Sequence, residues 1–289
     1  DDYIQHFDRV SGLYDYDPLS AESLRARAAW LDDERPFSAG RDGLADALRR
    51  FNERAEASPE TLAAIERLRD PRTLCVVGGQ QASLFTGPLL VIYKAVTIIQ
   101  AARQASAELG RPVVPVFWIA GEDHDFDEVN HIHYLSSELK VEKVKVERPG
   151  AVRTSVSKTK LSPEQWEEAL QALDQSLMPT EFKAKTLELF RKAAESSETL
   201  TDAFAKTMAS LFGRYGLVLL DSDDEALRAL EGPMFRRLIE RCAELGGVLR
   251  HTRERLEALG YTPQVEAQEN GANLFVYGEQ GERTLLYTD

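Results

Sequence analysis

Cysteine is almost missing from this chain. Its 289 residues include two, Cys75 and Cys242, with no metal-type spacing between them. Cys75 falls inside an apolar strand pattern, where a small buried thiol is expected. Long apolar runs are missing as well. The longest, 88-PLLVIYKAVTII-99, is too short to span a bilayer and contains Lys94. No secretory signal is visible at Asp1, and the chain begins without Met, as a fragment or a processed chain would. Together these absences point to a reduced, cytoplasmic setting with no membrane partner. Positive charge is in deficit too. The formal net charge is -13, so no basic footprint for nucleic acid covers the protein, although a local basic pocket remains open. Neither G-x-G-x-x-G nor G-x-x-x-x-G-K-[ST] occurs after the first strand, which weighs against dinucleotide and P-loop readings.

What is present reads as a soluble globular chain. Hydrophobic residues make up 43% and charged residues 29%, and the length suits one large domain or two ordinary ones. Residues 20–70 read as helices, with 58-SPE-60 supplying a cap and a first-turn proline. The short apolar run 73-TLCVVGG-79 suits a buried parallel strand. The helix expected over 87–107 is apolar nearly all round, so it should be covered on most sides. A second buried strand, 113-VVPVFWIA-120, carries Pro115 as a blemish. Strand, helix and strand at these lengths form a βαβ unit. Next, 140-KVEKVKVE-147 and 152-VRTSVS-157 alternate and read as an antiparallel hairpin. Ser162, Pro163 and Gln165 then spell a capping box, with Leu161 and Trp166 placed for a hydrophobic staple. Helices continue to about Arg214. A third buried strand, 217-LVLLDSDD-224, leads into a helix reaching about Leu259, with a break expected near Gly246-Gly247. The runs 273-NLFVY-277 and 283-RTLLY-287, separated by Gly278 and Gly281, read as a second hairpin.

In open parallel sheets, ligands bind beyond the carboxyl ends of the strands, near the point where strand order reverses. Three such ends are legible here: Gly78–Thr86, Gly121–Asp127 and Asp221–Asp224. They converge only if the three strands are parallel neighbours. In the first, Gly78 and Gly79 allow close backbone approach, and Gln80 and Gln81 offer uncharged amides. Thr86 and Gly87 precede Pro88 at a helix start, where free N–H groups favour an anion. A tight turn and cap without ligand is the plainer reading. Lys94 is either a lysine whose stem packs on its helix or a cation reaching back toward the loop. The second end, 121-GEDHDFDEVNHIH-133, is the most chemically loaded. Glu122, Asp123, Asp125, Asp127 and Glu128 surround His124, bracketed by Trp118 and Phe126. Such a set suits acid–base work or a divalent cation. Without H-E-x-x-H or an EF-hand pattern, no metal-ligand set is assigned. An ordinary acidic helix cap is the plainer alternative. His131 and His133 alternate with Ile132 as on one side of a strand. Asp221 reads either as a site residue or as the cap of the next helix.

The stretches 78-GGQQASLFTGPLLVIYK-94 and 114-VPVFWIAGEDHDFDEVNHIHYL-135 closely resemble the BshC family, the cysteine-adding enzymes of bacillithiol synthesis. Strand 217-LVLLDSD-223 fits the family more loosely. The resemblance implies an α/β fold: a doubly wound, Rossmann-like nucleotidyltransferase-type core with helical and β-hairpin connecting-peptide additions. The family's coiled-coil region is expected to be largely absent from this chain. The segments so divided are 1–148 (first part of the core with N-terminal helices), 149–210 (hairpin and helices), 211–260 (core strand and helix) and 261–289 (start of a connecting-peptide hairpin). The resemblance further implies a ligase that joins cysteine through an amide to the amine of glucosaminyl-malate, as a homodimer in full-length form. Amide formation from a free carboxylate needs activation, so ATP or another nucleotide is expected, with Mg²⁺ on its phosphates.

On that reading the catalytic candidates are Glu122, His124, Asp125 and Lys94. The substrate or nucleotide candidates are Gly79, Gln80, Gln81, Ser83, Thr86, Gly87, Asp123, Asp127, His131 and Asp221. Where a glycine is expected after Gln80-Gln81-Ala82, this chain has Ser83, and the paired histidines of nucleotidyltransferases are replaced by Gln80, Gln81 and Thr86. The rival readings are a metal-dependent hydrolase using the acidic-histidine loop and a non-catalytic nucleotide-binding scaffold.

Overall fold

Three short apolar runs become strands because each is rich in Val, Leu, Ile and Phe and ends in glycine, alanine or acid. In a computed structural model, residues 1–33, 40–136, 138–150, 152–265, 271–278 and 283–287 are described. The chain starts with a short helical turn α1 (Asp2–Gln5), followed by α2 (Ala21–Asp33), α3 (Arg41–Arg54) and α4 (Pro59–Arg67). Strand β1 (Leu74–Gln80), helix α5 (Leu90–Leu109) and strand β2 (Val113–Ile119) form the βαβ unit. The turn α6 (Phe126–Val129) leads to strands β3 (His131–Leu135) and β4 (Val141–Lys145). Helices α7 (Pro163–Ser176), α8 (Lys183–Glu195) and α9 (Leu200–Phe212) precede β5 (Val218–Asp221). Helices α10 (Glu225–Glu240) and α11 (Cys242–Ala258) and the strands β6 (Gly271–Tyr277) and β7 (Arg283–Tyr287) follow.

The sheet order is β1-β2-β5, with both pairings parallel. Alternation along the strands separates two cores. Phe117 and Ile119 of β2 and Leu219 of β5 pack on α5, α7 and α9. Val114 and Val116 of β2 and Val218 of β5 pack on α3 and α4. Helices on both faces make this an α/β fold of the Rossmann-like type. Each Leu or Phe so buried contributes about 1.5–3 kcal/mol. Pro115 is tolerated in the central strand because of register. The β2–β5 ladder begins one residue later, at Val116↔Val218, so no ladder bond is lost.

The outer edge of β5 is closed by side chains. Asn52 of α3 is fully buried. Its Nδ2 donates to Leu219 O at 2.8 Å and its Oδ1 accepts from Leu219 N at 3.0 Å. Thr61 Oγ1 of α4 donates to Leu217 O at 3.0 Å.

Local cap chemistry holds as expected. Ser58 caps α4 with Pro59 at its first position, and Ser162 and Gln165 close a capping box on α7. Leu161 and Trp166 are both buried in the larger core.

Other expectations are corrected. Strand β4 pairs with β3, from His131↔Lys145 to Leu135↔Val141, and not with 152–157, where Val156–Lys158 is a 3-10 turn. The preceding strand outcompetes the following one because Ile132 and Val144 meet on the core-facing side. The helix after β5 breaks at Arg241, whereas Gly246 and Gly247 lie inside α11. Cys75 is exposed, because β1 is an edge strand of the sheet among the described residues. The first two turns of α5 also leave apolar residues bare: Leu89, Leu90, Tyr93 and Val96 are exposed. The 273–287 hairpin forms as β6–β7, and Gly281 lies outside the described residues. No described helix is long and apolar enough to cross a membrane.

Candidate active site

Register brings the three strand ends to one level. Gln80 pairs with Ile119, and Ile119 with Asp221. Ala120 N donates to Gln80 O at 3.1 Å, and Ser222 N to Ile119 O at 3.1 Å. The parallel neighbours that the convergence requires are therefore present. Gly121 is needed where β2 gives way to its loop, because a Cβ there would strike the Asp221 carboxylate.

The glutamine loop is tied to its surroundings. Lys94 reaches back from α5, its Nζ donating to Gly79 O at 3.0 Å and to Gln80 Oε1 at 2.6 Å. Gln81 Nε2 donates to Asp123 Oδ2 at 2.7 Å and to Glu128 Oε2 at 2.8 Å, so the first and second loops touch. Ser83 and Thr86 turn inward. They line a small space of about 10 Å³ with Trp166, Phe190, Leu200 and Phe204. Phe85, Thr86 and Gly87 all have positive φ (48°, 71° and 70°). Only glycine fits the last, since a Cβ would lie 2.6 Å from Ser83 Cβ. Helix α5 begins at Leu90, without a side-chain cap.

The acidic loop is wired in a different way. Ser222 Oγ donates to Glu122 Oε2 in a short contact. Asp123 Oδ1 accepts from Asp125 N at 3.0 Å. Partial burial opposes the Asp123 charge, but the N–H groups of Asp125 and His124, the Gln81 amide and the Arg283 charge outweigh it and hold its pKa below the usual range. His124 Nδ1 lies 3.0 Å from Glu122 O, which assigns it the proton as donor. Its Nε2 is buried with no hydrogen-bond partner among the described residues. The ring stacks on Tyr277, with centroids 5.5 Å apart.

Asp125 and Asp127 are exposed. His131 sits on β3 facing His133, with ring centroids 5.0 Å apart, opposite Lys145. Burial, the His133 imidazole and Lys143 lower its pKa.

The third end holds the most perturbed group. Asp221 is buried, and its carboxyl pKa is pushed up to about 7, first by burial and then by the charges of Asp223, Glu122 and Asp224. It does not cap α10. Asp224 does, accepting from Ala226 N and Leu227 N at 3.0 and 3.3 Å. Asp223 accepts from Ser155 Oγ at 2.8 Å and Ser157 Oγ at 2.5 Å, with Lys158 Nζ at 4.0 Å. The 155–158 turn is held there by backbone bonds from Val156 N to Asp123 O (2.8 Å) and from Ser157 N to Gly121 O (3.0 Å).

A cleft of about 800 Å³ opens beside this group. Glu122, Asp223 and Glu225 supply its anions and Lys158, Arg228 and Arg283 its cations, with Tyr277 and Phe275 as aromatic walls. Lys158 Nζ lies 5.2 Å from the centre of the Tyr277 ring, and the Arg283 guanidinium 3.6 Å from that of Phe275. A cleft of about 790 Å³ between α7 and α8 is remote from the strand ends.

Of the sequence candidates, Glu122 lines the large cleft. His124 and Asp221 adjoin it through Tyr277 and Asp223. Gly79, Gln80 and Gln81 border a shallow surface beside Trp118. Sequence reasoning missed Ser155, Ser157, Lys158, Asp223, Arg228, Tyr277 and Arg283. Only Asp223 carried a visible signal, in the acid run after β5. Among the described residues, no three His, Cys, Asp or Glu side chains are grouped to hold a metal ion.

Comparison with known proteins gives a consistent result. Residues 1–289 match the family model described as "Bacillithiol biosynthesis BshC, N-terminal Rossmann-like domain". Three of the relatives named "Putative cysteine ligase BshC" show the extent of the match. That of Bacillus licheniformis is 40% identical over 285 residues, 99% of this chain and 52% of its own length. That of Geobacillus kaustophilus is 37% identical over 288 residues, 100% of this chain and 52% of its own. That of Salinibacter ruber is 40% identical over 288 residues, 97% of this chain and 50% of its own. The chain thus spans about half the length of the curated relatives it matches.

Proposed function

We infer that this chain, which belongs to the BshC family of bacillithiol biosynthesis, is the substrate-holding core of an enzyme that joins cysteine through an amide to the amine of glucosaminyl-malate. One observation carries the reading. The cleft at the strand ends presents carboxylates and cations on opposite account: Glu122 and Asp223 against Lys158, Arg228 and Arg283. Substrates of this kind carry both an ammonium group and carboxylates, and a two-signed cleft can orient each by charge. A nucleotide such as ATP, with Mg²⁺ on its phosphates, would supply activation of the cysteine carboxylate.

The chain's own groups then have definable tasks. Lys158, which also lies 4.0 Å from Asp223, and Arg283 sit on aromatic faces, which orient their charges toward the cleft. They suit the malate carboxylates. Glu122 faces the cleft beside the Ser222 hydroxyl, where its carboxylate is placed to accept a proton from the attacking amine. Asp221 lies behind it with a pKa of about 7, the range in which a carboxyl group can hold or release a proton at neutral pH. The nucleotide would carry away the cysteine carboxylate oxygen on its phosphate as the C–N bond formed, and the amine proton would pass to this carboxylate pair. His124 Nε2, buried and without a hydrogen-bond partner among the described residues, is the alternative acceptor.

The test is incubation of the full-length enzyme with cysteine, glucosaminyl-malate and ATP, followed by mass detection of the thiol product and of AMP against ADP. Product with equimolar AMP or ADP supports the reading, and the nucleotide released identifies the leaving group. Absence of product, or product with neither nucleotide, overturns it.

A further inference from the structure

The turn that carries Lys158 is fixed to two strand ends. Val156 is fully buried in the larger core. Its N–H donates to Asp123 O at 2.8 Å, and that of Ser157 to Gly121 O at 3.0 Å, which ties the turn to the loop after β2. Lys158 N donates to Ser155 O at 3.0 Å, and Thr159 Oγ1 donates to the same carbonyl at 2.9 Å, so the turn is closed locally. None of these bonds uses the hydroxyl of Ser155 or Ser157. Both hydroxyls reach instead to the loop after β5.

Three groups converge there on one oxygen. Asp223 Oδ2 accepts from Ser155 Oγ at 2.8 Å and from Ser157 Oγ at 2.5 Å, and Lys158 Nζ stands 4.0 Å from the same atom. The first two are hydrogen bonds, and the third lies beyond the reach of one. The two hydroxyl oxygens sit 3.2 Å apart. Each has one proton to give, and the shorter distances are those to Oδ2. A carboxylate oxygen offers two lone-pair sites, so the serines fill both. The Asp223 side chain is 4% exposed and that of Lys158 55%. A buried carboxylate needs donors, and hydroxyls supply them without cancelling its charge. A lysine beside an unoccupied carboxylate would close to hydrogen-bond distance, because charge-assisted bonds are the stronger kind. Here the ammonium lies over the Tyr277 ring, 5.2 Å from its centre, at the wall of the cleft of about 800 Å³. The aromatic face holds the cation without supplying an anion.

We propose that Ser155 and Ser157 are positioning residues: by filling Oδ2 of Asp223 they keep the Lys158 ammonium out of an ion pair and available to a carboxylate of the substrate. Without the hydroxyls, the lysine swings from Tyr277 onto Asp223, and the cleft loses a cation. The substrate half of the proposal rests on the ligase reading, whereas the competition for Oδ2 rests on geometry alone.

Two measurements on the full-length polypeptide test it. The first is competitive acylation with acetic anhydride, followed at Lys158 by mass spectrometry with the other lysines as reference. The anhydride takes only a free amine, so an ion pair slows it. The Ser155→Ala/Ser157→Ala double variant should acylate at Lys158 about fivefold slower than the parent. Adding Asp223→Asn should restore the parent rate, and Ser157→Thr, which keeps a hydroxyl, should match it. An unchanged rate in the double variant would overturn the proposal. So would a loss that Asp223→Asn leaves in place, since the serines would then act on the shape of the turn. Should the double variant fail to fold, Ser157→Ala alone gives the same reading in smaller measure. The second measurement is steady-state kinetics with glucosaminyl-malate. In the double variant KM should rise about fivefold with kcat within about twofold of the parent. Slower acylation with an unchanged KM would overturn the positioning role. If the parent enzyme forms no product, the ligase reading fails, and acylation still decides the competition for Oδ2.

Discussion

The two edges of the three-stranded sheet are finished in opposite ways. At β5, Asn52 acts as a one-residue strand, donating to and accepting from Leu219, and Thr61 takes the Leu217 carbonyl. Both side chains are fully or almost fully buried. At β1, one lysine reaches the Gly79 carbonyl, and no second strand among the described residues pairs with the side turned away from β2. A closed edge states that the sheet ends there. An edge left uncharged, apolar and straight lacks the devices that normally blunt one.

The buried acid at the end of the closed edge should give the largest effect. The folded pKa of Asp221, about 7, lies above the ordinary 3.8, so the folded state binds its proton more tightly. Its ionisation therefore costs stability as pH rises from about 4 to about 7, by about 4 kcal/mol at most. Thermal melts across that window should show the decline, and Asp221→Asn should flatten it. An unchanged slope would remove the claim that Asp221 titrates near neutrality.

Asn52→Leu comes next. It strands the Leu219 N–H and C=O in the core and should cost about 3 kcal/mol in urea unfolding. A loss below about 1 kcal/mol would mean that the β5 edge finds other partners. Lys94→Met removes a side chain that bonds the β1 edge. A loss of about 1–2 kcal/mol is expected, because Gly79 O and Gln80 Oε1 lose their donor while the helix keeps its packing. If the fall in kcat/KM of the full-length enzyme far exceeds that equivalent, Lys94 acts on substrate as well as on the loop.

Gln81→Leu should have the smallest effect, about 1 kcal/mol, and it carries a pH signature. Asp123 is held below its ordinary pKa partly by Gln81, so the stability it contributes is present at neutral pH and lost as pH falls through its folded value. The variant should lose stability at pH 7 and match the parent in acid. A loss equal at both ends would assign the effect to packing.

Much of the frame was legible beforehand, each piece for a local reason. The three strands followed from short β-branched runs stopped by glycine or acid, and the Ser162 and Ser58 caps from residues within four positions. The pairing of β4 was misread because two strands compete for it, and alternation does not say which wins. The same limit hid half of the candidate site. Asp223 meets Ser155 and Ser157 across more than sixty residues, and Tyr277 meets His124 across an even longer span. No spacing rule reaches so far. The inward turn of Thr86 was equally out of view, since it follows from three successive positive φ values rather than from the Thr-Gly-Pro spelling.

By itself, then, the sequence determined the three core strands, the Ser58 and Ser162 caps and the chemical loading of the 121–133 loop, because these depend on neighbours along the chain. Tertiary structure decided which carboxylate is buried enough to sit near neutrality, which cations share its cleft and which sheet edge is closed by side chains. Desolvation, charge proximity and strand pairing are all properties of separations in space, and those exist only once the chain has folded.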